Sequence, residues 1–341
     1  ATEALNNSIT VETAPLMRCV YLYQEGKDSV SDLLFIYHHA IMDAASAIQF
    51  YHRLLSLCAG QDVDAIGKRH PFLAAADKLL PPKMQGMGKN GRFLRYMADQ
   101  MVDEIRYRRQ LGDGRVAPVN TAPSHNMMVL RRLDKVSTKA IVRRSRRERV
   151  SMNSVVSTAM LVAVHKHLYH NQPMPIRPLA FANLRPYLDP PVASNYLGSY
   201  ITMLRHTVFC DENPNFWETT KRFQAIVSRA SKRSEKFIAM MMSAHLIKAA
   251  THFQSFRIGT TAVSYPGPLD LQPAYGDIRL TDVHGFVSNN RLGPEFTAFA
   301  KILFGQLTWD FLYLKADMDQ AMAETIADEV VHILQTNSAT D

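Results

Sequence analysis

A chain of 341 residues exceeds what one hydrophobic core usually serves, so two lobes are expected. Its 47% hydrophobic content is ordinary for a globular protein. No apolar run approaches the roughly 18 residues of a membrane helix, and the start lacks a charged-then-apolar signal pattern, so the expected address is cytoplasmic. The formal charge of +8 suits an acidic partner, whether a phosphorylated cofactor, a carrier protein or nucleic acid, without choosing among them. Cys19, Cys58 and Cys210 are odd in number and widely spaced, which argues against a disulfide framework or a thiolate metal cage and suggests buried thiols.

Residues 1–13 are polar and expected to fray. Residues 16–22 and 32–37 read as two strands around the turn 24–28, a hairpin by proximity. Ile48, Tyr51, Leu54, Leu55 and Cys58, three and four apart, predict a helix from Ser46 to about Leu57. A loop-rich stretch follows, with Gly60, Gly67, Pro71, Pro81, Pro82 and three glycines between 86 and 91, then a helix from Phe93 to Leu111. The run 112–123 breaks the pattern as an interlobe connection would. Beyond it come a strand at 127–133, a basic helix at 137–149 and an apolar helix capped by Ser151. A strand at 176–186 ends in a corner marked by Asn183 and Arg185, and another ends near Phe209. Pro214 suits the first turn of a helix to about Ser234, and 236–253 looks helical and methionine-rich. Strands follow at 260–265, closed by Pro266-Gly-Pro268, and at 279–287, 296–304 and 306–314, with Gly305 as the last turn. A helix over 317–334 starts with acids, as its dipole prefers. The pattern is mixed α/β with largely antiparallel strands.

His38 and His39 sit where the second strand gives way to the first long helix, with Asp43 four residues beyond His39. Four readings compete. The histidines could pack or bond locally. A His and an Asp four apart could share a metal, although no third ligand is obvious and His245 and His252 belong to another helix. The acid could orient a base for a nucleophile, although no Gly-x-Ser-x-Gly elbow is present. Or one histidine could act as a general base, taking a proton from an alcohol, amine or thiol that attacks an activated acyl group, a contribution of about 10²- to 10⁴-fold.

The stretch His38-His39-Ala40-Ile41-Met42-Asp43-Ala44 resembles the His-His-x-x-x-Asp-Gly motif of the CoA-dependent acyltransferase superfamily. Its members include nonribosomal peptide condensation domains, alcohol and polyketide-associated acyltransferases, wax ester synthases and plant acyltransferases. Asn183-Leu184-Arg185-Pro186, the Gly198 strand, Ser264 to Gly267 and the terminal strand pair with its helix follow in the family's order. The resemblance implies two chloramphenicol-acetyltransferase-like lobes, of mostly antiparallel or mixed sheets flanked by helices, forming a V with a central tunnel. It divides the chain at 1–118 and 119–341. It implies transfer of an acyl group from an acyl-CoA or a phosphopantetheine thioester to a hydroxyl or amine, with no permanently bound cofactor and no metal. His39 would be the general base, Asp43 a structural acid paired with Arg185, and His38 a structural neighbour. His38, Ala44, Asn195 and Ser264 would line the substrate path, although hydrogen bonding at strand ends explains Asn195 and Ser264 equally well. A non-catalytic condensation-like binding or assembly module is the alternative.

Three departures qualify the resemblance. Ala44 stands where the motif has glycine, harmless if its φ is negative and strained if positive. The family also has a further strand-and-helix unit ahead of the hairpin, so the chain is expected to be a fragment, or to be completed by another chain. The family's Asp-Phe-Gly-Trp segment is replaced by Phe286-Val-Ser-Asn-Asn290, which points to the alcohol or polyketide-associated branch. The basic run Arg143 to Arg149 is expected to be a solvated helix face, with an acyl carrier protein or CoA phosphates as its functional alternative; nucleic acid is disfavoured because no interleaved aromatics accompany it. Met240 to Met242 suggest an apolar surface able to take an acyl chain, or core packing.

Overall fold

A computed structural model describes residues 2–7, 9–10, 12–26, 30–62, 73–111, 124–250 and 257–338. The strands β1 (Met17–Leu22) and β2 (Asp32–Tyr37) form an antiparallel hairpin pairing Met17 with Tyr37. From it runs α2 (Ala44–Cys58), and Phe35 meets Phe50 and Tyr51 of that helix edge-on or tilted, with ring centroids 5.0 and 5.6 Å away. A long helix α3 (Gly86–Leu111) closes this first part. The proposed boundary near 118 lies outside the described residues.

The body of the protein is a six-stranded mixed sheet in the order β3-β12-β11-β8-β5-β6. Its strands are β3 (Asn126–Arg132), β5 (Pro178–Asn183), β6 (Ile201–Arg205), β8 (Thr261–Pro268), β11 (Phe296–Leu303) and β12 (Gln306–Leu314). β8 runs parallel to both β5 and β11, and the other pairings are antiparallel. The short strands β4 (Met174–Ile176) and β7 (Val208–Cys210) pair beside the sheet, and β9 (Ala274–Tyr275) and β10 (Ile278–Arg279) form a small ribbon. The turn from β11 to β12 places Phe304 and Gly305 at φ 47° and 82°, the twist that two-residue hairpins require.

The period-2 alternation of β12 assigns the two sheet faces. Trp309, Phe311 and Tyr313 turn into the main core, with Val155, Ala159 and Met160 of α5 (Met152–Leu168) and Ile326 and Val330 of α8 (Gln320–Ser338). Most of α5 is buried, which fits its weak amphipathicity and its small and apolar residues. Asp310 and Leu312 face the other way, into a cavity roofed by the hairpin and α2. The helices α4 (Lys135–Arg147), α6 (Phe216–Lys232) and α7 (Glu235–Ala250) complete the body, and α1 (Thr2–Asn6) the start of the chain.

Several expectations need correction. The N-terminal residues 2–6 are helical and anchored, because the Asn6 carboxamide donates to Asn126 O at 3.1 Å and accepts from Asn126 N at 2.7 Å. α3 starts at Gly86, inside the glycine stretch expected to be loop; its length carries the cost of about 1 kcal/mol per glycine. The strand at 176–186 divides at Arg177, whose carbonyl accepts from Thr260 N at 2.8 Å. β8 continues through Pro266 and Pro268, with Pro266 inside a register shift where proline is tolerated. Residues 280–287 form no strand: side chains serve their backbone instead, Asp310 accepting from Gly285 N at 2.7 Å. Asn215 caps α6 by accepting from Glu218 N, leaving Pro214 outside, and α8 begins after its acids, with Asp319 accepting from Met322 N. Cys19 and Cys58 are exposed, and only Cys210 is buried, its thiol pushed up to about 12 by burial. In the basic run Arg143, Arg146 and Arg147 are exposed as expected, while Arg144 bonds Glu148 at 2.9 Å and lies over Trp217.

Candidate active site

Asp43 begins α2 as its N-cap, with extended backbone and a side chain accepting from Ser46 N at 3.0 Å. Its second oxygen accepts from Arg185 Nη1 at 2.6 Å and from Tyr200 N at 2.9 Å. Burial pushes the Asp43 carboxyl up, but the Arg185 bond, the two backbone donors and the Arg185 charge outweigh it and hold the group below the usual carboxylate range. Arg185 also donates to Ser46 Oγ at 2.7 Å and Gly198 O at 3.1 Å, and its guanidinium lies 4.7 Å from the Tyr200 ring centroid. The Ser46 hydroxyl donates to Gly198 O at 2.9 Å and accepts from Gly198 N at 3.0 Å. Gly198 is at φ 156°, and a Cβ there would lie 2.6 Å from the Tyr200 ring, so glycine alone fits. With Asp43 at 0% exposure and Arg185 at 3%, this is a dry, closed network.

The five residues between strand and acid make a tight turn. His38 N donates to Leu16 O and Ile41 N to His38 O, at 2.9 and 3.1 Å. His38 Nδ1 faces the N–H of Ala40 at 3.2 Å, so it accepts. His39 Nδ1 lies 2.9 Å from the carbonyl oxygen of Met42. A carbonyl only accepts, so Nδ1 carries a proton, and in the neutral ring Nε2 carries the lone pair. Both histidines line one cavity of about 2880 Å³ between the sheet's free face and the hairpin with α2.

Arg185, Ala44 and Ser264 also line this cavity; Asp43 and Asn195 do not, Asp43 facing the network and Asn195 lying half-buried in the turn before Gly198. Ala44 is not among the residues with positive φ and enters the first turn of α2 without strain. Asp43 does not bond either histidine, which removes the acid-oriented base and leaves the two histidines without a carboxylate to complete a metal pair. Among the described residues, no three His, Cys, Asp or Glu side chains gather as metal ligands. His245 is exposed on α7, and His252 lies outside the described residues. Met240 lines the cavity while packing, with Met241 and Met242, against the core around Phe237 and Ile238.

Ser46, Gly198 and Tyr200 are central members of the network that the motif alone does not single out. The Asp-x-x-Ser spacing from 43 to 46 reads as a helix start, but the hydroxyl's work for Arg185 and Gly198 depends on contacts more than 130 positions away.

An HxxxD turn at the end of a strand, a guanidinium brought to it from the short turn after β5 and a large cavity in front of the histidine define a condensation-type acyltransferase fold. Solved structures agree. Trichothecene 15-O-acetyltransferase from Fusarium sporotrichioides superposes at a TM-score of 0.72 with 13% identity, over 95% of this chain and 71% of its own. Polyketide synthase associated protein 5 from Mycobacterium tuberculosis gives 0.66 with 16% identity, over 98% and 79%. A nonribosomal peptide synthetase cyclization-docking bidomain from Sorangium cellulosum gives 0.64 with 13% identity, over 98% and 65%. At these identities the likeness carries the fold. The family model described as phthiocerol/phthiodiolone dimycocerosyl transferase C-terminus matches residues 123–299, just over half of the chain, and the chain belongs to that family. No curated protein matches it in sequence. No helix among the described residues is long and apolar enough to cross a membrane.

Proposed function

We propose that this protein transfers an acyl group from a CoA or carrier-bound thioester to a hydroxyl or amine, with His39 as general base. The observation that carries the reading is the fixed tautomer: Met42 O holds the Nδ1 proton and leaves Nε2 as the free base on a histidine that lines the cavity. Nε2 takes the acceptor's proton as its oxygen or nitrogen attacks the thioester carbonyl. The tetrahedral intermediate collapses with cleavage of the C–S bond, and the thiolate recovers the proton from Nε2. Acyl thioester and alcohol or amine thus become ester or amide and free thiol, and the base returns to its starting state. Asp43 and Arg185 act as positioning residues for the turn. The cavity's apolar lining, including Leu179, Phe181, Ile201, Met203 and Phe299, suits an acyl chain, in keeping with the acyl transfer named in the family's description.

The test is thiol release from acyl-CoA in the presence of a range of alcohols and amines, comparing the wild type with His39→Ala. The variant should lose about 10²- to 10⁴-fold in rate while its unfolding free energy changes by no more than the ~1 kcal/mol of one hydrogen bond. Binding of the thioester without turnover by either protein would refute catalysis and favour a non-catalytic binding module.

A further inference from the structure

The cavity has a second polar end, away from the histidines. Along the β5–β6 ribbon Asn183 pairs with Ile201 beside the Asp43 network, and Leu179 pairs with Arg205 at the opposite end. Arg205 lies five residues along β6 from Tyr200, whose N–H meets Asp43, a distance of about 17 Å in extended chain. Ile201, Met203 and Arg205 line the cavity, and Leu204 is buried behind them. Arg177, just before β5, lines the same end.

The charges there do not balance. Glu104 of α3 serves three guanidiniums: Oε1 accepts from Arg108 at 2.8 Å, and Oε2 lies 2.7 Å from Arg177 and 3.5 Å from Arg205. Asp103 accepts from Thr207 at 2.7 Å and stands 3.7 Å from Arg177. Three positive charges thus face two negative ones. Arg257 is matched by Asp317, and Glu295 is engaged by the Tyr169 hydroxyl, which donates to it at 2.7 Å. Arg177, at 6% side-chain exposure, is well held by Glu104 and by the Tyr107 ring 3.5 Å from its guanidinium carbon. Among the described residues Arg205, at 19%, makes one ion pair, the long contact to a carboxylate already engaged by two others. Its charge is disfavoured first by burial and then by Arg177. A guanidinium in that position has donors to spare, in a fork that matches an oxyanion.

We propose that the Arg177–Arg205 end of the cavity is an anion subsite, holding the phosphate or carboxylate of a substrate whose reacting end lies at His39. The inference rests on the acyl-transfer reading only in saying which end of the ligand reacts. Two sources share this chemistry: the phosphate of a phosphopantetheine-type donor, or a carboxylate on an extended acceptor. Either ligand must carry its anion and its reacting atom about as far apart as five residues of extended chain.

Calorimetric titration separates the sources without turnover. The donor arm compares pantetheine 4′-phosphate with pantetheine, and the acceptor arm compares 12-hydroxydodecanoate with 1-dodecanol. In one arm the anionic ligand should bind the wild type about ten- to a hundredfold more tightly than its neutral counterpart, as expected for a charge-assisted contact. Arg205→Gln should erase that ratio, and Arg205→Lys should restore part of it. Inorganic phosphate should weaken the anionic ligand and leave the neutral one unaffected, a measurement on wild type that holds even if a variant fails to fold. Equal affinities within both arms, or a ratio that survives Arg205→Gln, would overturn the subsite. Anion-dependent binding without thiol release would instead refute acyl transfer and leave the subsite standing.

Discussion

Substituting Asp43 tests whether the acid is the keystone of the site's scaffold. Asp43→Ala leaves Arg185 buried with a hydroxyl and two backbone carbonyls for company and no countercharge. Breaking one side of such a pair costs about 3–5 kcal/mol, and the lost α2 cap adds about 1 kcal/mol. Asp43→Asn preserves the shape and a capping oxygen, so it isolates the charge and should cost about 3 kcal/mol. Combining it with Arg185→Gln should cost less than the two single changes together, because the second substitution removes the charge stranded by the first; a coupling of about 1–3 kcal/mol is expected. Equilibrium unfolding in urea measures all three. The pH dependence adds a signed test. A carboxyl held below its ordinary value contributes stability that is present above that value, near 3.8, and is lost as pH falls through the folded-state pKa. The gap between wild type and Asp43→Asn should therefore narrow in acid. Single substitutions costing under 1 kcal/mol, or costs that simply add, would refute the keystone argument.

Two further substitutions follow from the same geometry. Ala44→Gly should destabilise by about 0.5–1 kcal/mol in urea unfolding, because the residue is helical with no positive φ to relieve and glycine only adds chain entropy. His206, buried with its pKa pushed down to about 4 by burial, stays neutral in the fold while the unfolded chain takes a proton below about 6.5. Wild type should therefore lose about 3 kcal/mol relative to His206→Gln as pH is lowered from 7 to 4, and a constant difference across that range would contradict the assignment.

The hairpin, α2 and the Ser151-capped helix were legible because each follows from a local period or cap, and Asp43 and Arg185 because a motif and a proline-bracketed corner mark them. What the sequence hides is held by side chains acting at long range. Residues 280–287 carry an apolar pattern that reads as a strand, yet Asp310 accepts from Gly285 N within it and Asn126 from Asn289 N just beyond it, and no ladder forms. Arg177 and Arg205, 28 positions apart and each unremarkable in its strand pattern, come to one cavity end only through the β5–β6 pairing. Ser46 is readable as part of a helix start but not as a partner of Gly198.

The separation of work within the motif explains why an acid four residues from a histidine never touches it. Asp43 is saturated by Ser46, Arg185 and Tyr200, and its own N–H donates to Gly198 O at 3.2 Å. Those bonds fix the end of the turn, and the preceding residue, Met42, is 4% exposed and presents its carbonyl to His39. Arg185, Gly198 and Tyr200 therefore act on His39 through backbone position rather than through charge: they hold the carbonyl that selects the tautomer, and the tautomer leaves Nε2 as the basic nitrogen. In such an arrangement the group facing Nδ1 is uncharged and cannot itself take a proton, and the turn that would preorganise the proposed base is held by a segment some 150 residues along the chain. A substitution at Arg185 should accordingly reach His39 as a loss of order in the 38–43 turn.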